Sequence, residues 1–157
     1  MKLINDAVTR WLAPERTILQ SLFLLIVRLY WGWQFFQTGK GKLMDLDKPT
    51  QFFQSLGIPF PHLQAMVCGI TECLGGLLIL VGLLSRLISI PLTILLTVAY
   101  LTADIDRAKA IFGDPDKFVT ADEFLFLYTV LVVLLFGPGK LSLDWLMTHK
   151  SRGSQPA

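Results

Sequence analysis

Four long apolar runs alternate with shorter polar segments along the chain. They cover residues 18–37, 63–84, 87–106 and 119–136. An apolar helix of about 20 residues is roughly 30 Å long, which matches the hydrocarbon core of a bilayer. In the last run only residues 124–136 are unbroken, and extension back to 119 restores a spanning length with Asp122 and Glu123 near the membrane surface. The pattern therefore predicts four membrane-spanning helices.

Composition agrees with a membrane location. Of the 157 residues, 53% are hydrophobic and only 17% are charged, which lies outside the usual range of soluble globular domains. We predict an all-α protein, an integral membrane four-helix bundle formed by residues 17–146, with short interfacial helices. Membrane lipids are its expected surroundings. The net charge of +2, with basic and acidic residues interleaved, argues against a nucleic-acid partner.

The two ends of the chain are less apolar than the bundle. Residues 1–16 carry an apolar stripe that fits a short helix lying on the membrane surface, although a frayed terminus would fit almost as well. A cleaved signal peptide is disfavoured, because the first apolar run is too long and no small-residue cleavage signal follows it. Residues 147–157 are predicted to form a flexible tail.

The connections between the runs predict the topology. Little more than Ser85 and Arg86 separates the second and third helices, so these should be antiparallel neighbours. The two longer connections lie on the other side, and Phe52 and Phe53 in the first of them suggest a short interfacial helix. With the N-terminus inside, the inner segments hold seven basic residues and the outer loops six. The positive-inside rule then places both termini in the cytoplasm.

Two charges lie inside the first two predicted spans, Arg28 and Glu72. If the span midpoints are near residues 27 and 73, the two charges have about the same depth on neighbouring antiparallel helices. Each alone costs roughly 2.5–3.5 kcal/mol at the centre of a bilayer on the insertion scale. Because a matched pair removes most of that exposed charge, we predict an ion pair between them.

Small and polar residues recur on one face of each of the first three spans. Glu72 shares its face with Gly69 and Gly76, where helices can approach closely. The third span adds a polar stripe, which consists of Ser89, Thr93, Thr97, Tyr100 and Asp104. One interpretation is that these residues only pack and hydrogen-bond within the bundle. The other is a polar cavity, open to a small molecule, a proton or a quinone headgroup, with Arg28, Glu72, Thr97, Tyr100 and Asp104 as its candidate site.

Aromatic, cysteine and histidine residues add few further candidates. Tyr30 and Trp31 lie deep enough to flank a flat aromatic ligand, although packing is the simpler role for both. Cys68 and Cys73 lie five residues apart on one helix, so they face different directions and do not fit a thiol oxidase. The two histidines have no partner at ligand spacing, so we predict no metal site and find no metal, haem or flavin signature.

Three motifs occur in order along the chain: Arg28 followed by TGKGKL, the second-span sequence ECLGGLLILVGLLSR, and the closing GPGKLSLDWL. Together they resemble the DoxX family of small four-helix bacterial membrane proteins, and the related DoxD small subunit of thiosulfate:quinone oxidoreductase. The resemblance covers roughly residues 17–146. It implies a multi-pass location in the bacterial plasma (inner) membrane, and redox chemistry shared with a partner protein.

Two hypotheses about function follow. In the first, the chain is a membrane subunit or partner of a quinone-linked oxidoreductase system, in which a sulfur compound could be the electron source and the polar site relays protons. The sequence leaves the cofactor unknown, and quinone is the candidate that this hypothesis names. In the second, the chain is a non-catalytic membrane scaffold or small carrier, and the Arg28–Glu72 pair only holds the bundle in register. Whether the chain is itself an enzyme, and whether it forms an oligomer, stay open in the sequence.

Overall fold

The computed structural model describes the backbone of residues 2–152 and the side chains of residues 18–147, and this part of the chain is all-α. Four long helices form the bundle: α1 (Lys2–Met44), α3 (Pro61–Val81), α4 (Ser85–Thr102) and α7 (Asp122–Phe136). Shorter helices connect or follow them: α2 (Asp47–Ser55), α5 (Ile105–Lys109), a 3-10 turn (Ala110–Phe112), α6 (Pro115–Val119) and α8 (Leu143–Arg152).

The first helix is longer than the predicted first span. It runs without a break from Lys2 to Met44, and Ile18–Met44 is long and apolar enough to cross a membrane. Lysine is a good helix former, so Lys40 and Lys42 extend the helix where the sequence analysis ended the span at residue 37. The side chains of residues 1–17 lie outside the described residues, and the surface location of residues 1–16 stays a prediction.

Helices α3 and α4 form an antiparallel hairpin, as predicted from their short connection. Gly82 ends α3 in a left-handed conformation (φ 73°), which a residue without a Cβ adopts without steric cost. Both Pro61–Val81 and Ser85–Thr102 are long and apolar enough to span a membrane. The helix ends at Thr102, four residues before the predicted end of the third span near residue 106, and a short separate helix begins at Ile105.

The fourth long helix, α7, is shorter than the span predicted over residues 119–136. It begins at Asp122, because Ala121 is extended (φ −67°, ψ 134°) and Val119 belongs to α6. Its 15 residues give a helix of about 22 Å, less than the hydrocarbon thickness of about 30 Å. Three described helices therefore meet the length and hydropathy of a span. That α7 also crosses the membrane stays a prediction from the sequence.

Glycines bring α1 and α3 into close contact. A Cβ added at Gly76 would lie 2.7 Å from the carbonyl oxygen of Gly32, and one added at Gly39 would lie 2.7 Å from that of Gly69. Helix backbones can approach this closely only where neither helix carries a side chain. The sequence-based prediction of a small-residue contact face on α3 is confirmed. These contacts also fix the vertical register of the two helices.

The apolar core lies between α1, α3, α4 and α7, where Phe35, Ile79, Leu92 and Val130 are almost fully buried. Large apolar side chains also cover the outside of the long helices, as expected for surfaces that face lipid. The bundle has two ends. We call the end at the α3–α4 turn (residues 82–84) the turn end, and the opposite end, where residues 45–60 and 103–121 connect the helices, the loop end.

Residues 137–146 close the turn end. Gly137 (φ 75°) ends α7, and the Ser142 hydroxyl accepts a hydrogen bond from the Trp145 amide (3.2 Å) at the start of α8. Both residue types are common in these roles, glycine after the end of a helix and serine at its N-terminus. Helix α8 continues to Arg152, beyond the predicted start of the tail at residue 147. The flexibility predicted for residues 147–157 stays a prediction, because the side chains from residue 148 onward lie outside the described residues.

Candidate functional site

An ion pair between α1 and α3 is the most polar feature inside the bundle. The ammonium of Lys42 lies 2.6 Å from Oε1 of Glu72. The Glu72 side chain is 6% exposed and that of Lys42 is 32% exposed, so the pair is largely removed from solvent. The thiol of Cys68, one helical turn before Glu72, lies 3.5 Å from both charged groups.

A cavity of about 220 Å³ lies next to this pair. Its walls are residues from all four long helices: Phe35, Thr38, Lys42, Glu72, Leu96, Ala99, Asp122, Glu123 and Phe126. The second carboxylate oxygen of Glu72, Oε2, is buried and has no hydrogen-bond partner among the described residues. A buried carboxylate oxygen without a partner carries a desolvation cost, which a ligand or a proton could remove.

The first turns of α7 form one wall of this cavity. Because α7 begins at Asp122, its first turn brings two carboxylates to the level of Glu72 instead of continuing the apolar core. The carboxyl group of Glu123 also neighbours that of Asp104, which pairs with Arg107 at 3.3 Å. Carboxyl groups therefore extend from the cavity toward the loop end.

The predicted ion pair between Arg28 and Glu72 is wrong. The glycine contacts place Gly32 opposite Gly76, and the same register places Arg28 opposite Gly82, ten residues from Glu72. Ten helical residues correspond to about 15 Å along the axis. The prediction aligned the midpoints of the two apolar runs, but α1 extends seven residues beyond the predicted end of its span.

Arg28 instead lies in the turn end, where its side chain is fully buried. Its Nη2 donates a hydrogen bond to the carbonyl oxygen of Leu141 (2.7 Å), and the carboxylate of Asp144 lies close enough to interact electrostatically. Nε and Nη1 have no hydrogen-bond partner among the described residues. A Cβ at position 82 would collide with the guanidinium, so the glycine there makes room for the arginine.

Asp144 links the closing segment to the α3–α4 hairpin. Its carboxylate accepts hydrogen bonds from the backbone amides of Leu84 (2.8 Å) and Ser85 (3.2 Å), and thus caps the N-terminus of α4 from a distant part of the sequence. Its own amide donates to the carbonyl of Gly82 (3.0 Å). Arg28 and the closing motif therefore meet in one structural joint, remote from the cavity.

The hydroxyl-bearing residues predicted to form a stripe on α4 hydrogen-bond to backbone carbonyl groups. The hydroxyls of Ser89, Thr93 and Thr97 each donate to the carbonyl four residues earlier, at 2.7 Å. Steps of four residues drift about 40° around a helix, and by Thr97 the stripe has reached the exposed surface. Tyr100 is buried, and its hydroxyl donates to the carbonyl of Phe118 (2.9 Å).

Tyr30 and Trp31 do not line the cavity. Tyr30 is 58% exposed, whereas Trp31 is half-buried and packs edge-on against Phe126, one of the cavity walls. Both cysteines are free, and no group of three metal-ligating side chains occurs among the described residues. Of the five residues predicted for the intramembrane site, Glu72 lines the cavity. Asp104 does not line it, but it lies next to Glu123, which does.

Sequence reasoning missed Lys42 and Glu123 as site residues. Lys42 lay outside the first predicted span, which ended at residue 37. The signal that would have found it is helical spacing, since Arg28, Phe35 and Lys42 recur at steps of seven on the buried face of α1. Glu123 has no comparable signal, because the break before α7 determines its depth.

Comparison with known proteins agrees with these features. The model of the DoxX family matches residues 23–104. The chain is 31% identical to the protein named "Putative oxidoreductase CatD" of Bacillus subtilis over 134 residues, which is 85% of this chain and 93% of the relative. It is 28% identical to an uncharacterized protein of Haemophilus influenzae, over 79% of this chain and 82% of the relative. No solved structure is significantly similar to it. Because the family match covers more than half of its residues, the chain is a membrane protein that belongs to the DoxX family.

Proposed function

We propose that the protein is the membrane subunit of a quinone-linked oxidoreductase system in the bacterial plasma membrane. The observation that carries this proposal is the Lys42–Glu72 pair beside the cavity, where Oε2 of Glu72 has no hydrogen-bond partner within the described part of the chain. Ionisable side chains inside a membrane bundle are costly, and they usually mark a substrate, ion or proton site.

The cavity fits one small aromatic headgroup. Its volume of about 220 Å³ lies below the roughly 300–1,000 Å³ of pockets that hold drug-sized molecules. Phe35, Leu96 and Phe126 provide apolar walls, and Lys42 and Glu72 provide a donor and an acceptor at one side. An apolar pocket with a few convergent polar groups is the usual form of a small-molecule site.

Each polar residue has a role in the proposed reaction. Conversion of a quinone to a quinol requires two electrons and two protons. The ammonium of Lys42 can donate a hydrogen bond to an anionic oxygen, and Glu72 can release a proton and regain it. Glu123 and Asp104 form a chain of carboxyl groups toward the loop end, through which protons can be replaced. The electrons come from a redox partner protein, for which a reduced sulfur compound is one candidate donor.

The topology forms part of the same proposal. In it α7 crosses the membrane as a fourth span, helped by the adjoining α6, and both chain termini are cytoplasmic. The turn end then faces the cytoplasm and the loop end faces the periplasm.

A purification experiment tests this function. The tagged protein is isolated from its own membrane in mild detergent, and bound quinone and co-purifying proteins are quantified by mass spectrometry. We expect close to one quinone per protein, and at least a tenfold lower occupancy for Lys42→Met, since a hydrogen bond from a charged donor contributes about 1.5–3 kcal/mol. Lys40→Met is the matched control, because Lys40 is an exposed lysine two residues away.

The double variant Lys42→Met/Glu72→Leu distinguishes this function from a scaffold or carrier. If it keeps the quinone and the activity of the partner, the pair only stabilises the bundle, and the scaffold hypothesis is favoured. Loss of quinone from a double variant that remains folded supports the redox function. Absence of quinone from the wild-type protein would reject that function directly.

A further inference from the structure

A second concave surface lies at the turn end, away from the proposed quinone site. It is a groove of about 420 Å³ between the α3–α4 turn, the start of α4 and the closing segment. Its lining residues are Leu84, Arg86, Leu87, Pro138, Gly139, Ser142, Asp144 and Trp145. The groove combines an apolar wall with one guanidinium and one indole ring.

The groove lies where a membrane surface is expected. Pro61–Val81 and Ser85–Thr102 are both long and apolar enough to span, and the turn that joins them forms one edge of the groove. Leu84 and Leu87 are exposed on the side that continues into the apolar surface of α4, where lipid chains would lie. Tryptophan and arginine side chains are enriched at this depth in membrane proteins.

Arg86 is available to a ligand. Its guanidinium lies over the backbone of Gly137, with Nε and Nη2 both 3.1 Å from the position that a Cβ of residue 137 would take. No acidic side chain of residues 18–147 is within ion-pair distance of Arg86. Asp144 also lines the groove, but its two carboxylate oxygens already accept the amides of Leu84 and Ser85.

The described charges at this end sum to a positive value. Arg28, Arg86 and Lys140 are cationic and only Asp144 is anionic, which leaves a net charge of +2. Arg28 contributes to this net charge although its side chain is buried, because two of its nitrogens have no hydrogen-bond partner in the described part of the chain. An anion near this end would offset the excess charge. Basic pockets between membrane helices bind the headgroups of anionic lipids.

We propose that the groove is a binding site for an anionic phospholipid. The phosphate binds the guanidinium of Arg86, the glycerol region lies against Trp145, and the acyl chains follow Leu84 and Leu87 into the bilayer. A guanidinium binds phosphate with two parallel hydrogen bonds, which favours a phosphodiester over other surface groups. The site would attach the closing segment to the membrane surface.

Native mass spectrometry of the full-length protein tests the proposal. The protein is reconstituted with equal amounts of phosphatidylglycerol and phosphatidylcholine, and the lipids retained after detergent exchange are counted. We expect the wild-type protein to retain phosphatidylglycerol in preference. Arg86→Gln should lose about fivefold of that preference, since one basic residue near the surface contributes about 1 kcal/mol toward anionic lipid. Lys109→Gln, an exposed lysine at the loop end, removes the same charge and should leave the preference unchanged.

Two results would overturn the site. One is equal retention of both lipids by the wild-type protein, which needs no variant and therefore does not depend on whether Arg86→Gln folds. The other is an equal effect of Arg86→Gln and Lys109→Gln, which would indicate attraction by net charge alone. Arg86→Lys separates the geometry from the charge, and we expect it to retain an intermediate preference.

Discussion

At the scale of single residues, two cations of α1 have different partners and different depths in the bundle. Arg28 hydrogen-bonds to a backbone carbonyl in the closing segment, whereas Lys42 pairs with Glu72 beside the cavity. The inward direction of Glu72 could be predicted from the glycines on its helical face. The partner of Glu72 could not be predicted in this way, because a shift of the first span by a few residues changes which cation of α1 lies at the depth of Glu72.

Double-mutant cycles test this exchange of partners. We expect Lys42→Met and Glu72→Leu to be coupled by about 0.5–3 kcal/mol in the free energy of unfolding, because they share an ion pair. Arg28→Met and Glu72→Leu should be additive within about 0.5 kcal/mol, because their side chains lie too far apart to interact. Unfolding in mixed micelles with increasing SDS measures both cycles. Strong coupling in the second cycle would contradict the register of α1 and α3.

At the scale of helices, most of the elements could be predicted, but their ends could not. Hydropathy located all four long helices, and the short separation of the second and third apolar runs correctly indicated a hairpin, although Ser85 and Arg86 belong to α4. The end of α1 was missed because lysines at positions 40 and 42 resemble a membrane boundary. The start of α7 was missed because no proline or glycine marks the break at Ala121, whose extended backbone ends the preceding turn.

The contact between α1 and α3 gives a prediction at this scale. Gly76→Ala should destabilise the protein by about 1–3 kcal/mol, because the new Cβ would meet the backbone of α1. Gly41→Ala on α1 is the control, since a Cβ there has nothing within 4 Å. It should stabilise the helix by about 0.5–1 kcal/mol. Thermal unfolding in detergent compares the two variants, and equal shifts in Tm would contradict the close contact.

At the scale of the whole molecule, the two ends of the bundle differ in structure. The turn end is a structural joint in which the closing segment, the α3–α4 turn and α1 meet. The cavity lies between the long helices on the side of the loop end, and most of the described carboxylates also lie on that side. The family motifs in the sequence mark the first end more clearly than the second, because Arg28, the glycines near residue 82 and the closing GPGKLSLD all meet there. Thr38, Lys42 and Glu72 in the cavity wall also belong to motifs, but the cavity residues contributed by α4 and α7 belong to none.

Removal of the cap from Asp144 should open the turn end without affecting the cavity. Asp144→Ala leaves the amides of Leu84 and Ser85 without their acceptor, and we expect a loss of about 0.5–2 kcal/mol. Hydrogen–deuterium exchange should be faster at these two amides and in the closing segment, while α3 near Glu72 keeps its protection. Asp106→Ala, at an exposed position in the loop end, is the control. Uniformly faster exchange along the chain would show that the two ends are not independent.

The bond between Arg28 and Leu141 also has a consequence for biosynthesis. The two residues are 113 positions apart, so a ribosome must complete most of the chain before the guanidinium can find its acceptor. Until then the first helix carries an incompletely paired cation through membrane insertion. A chain cut short before the closing segment would leave that cation without the acceptor at Leu141.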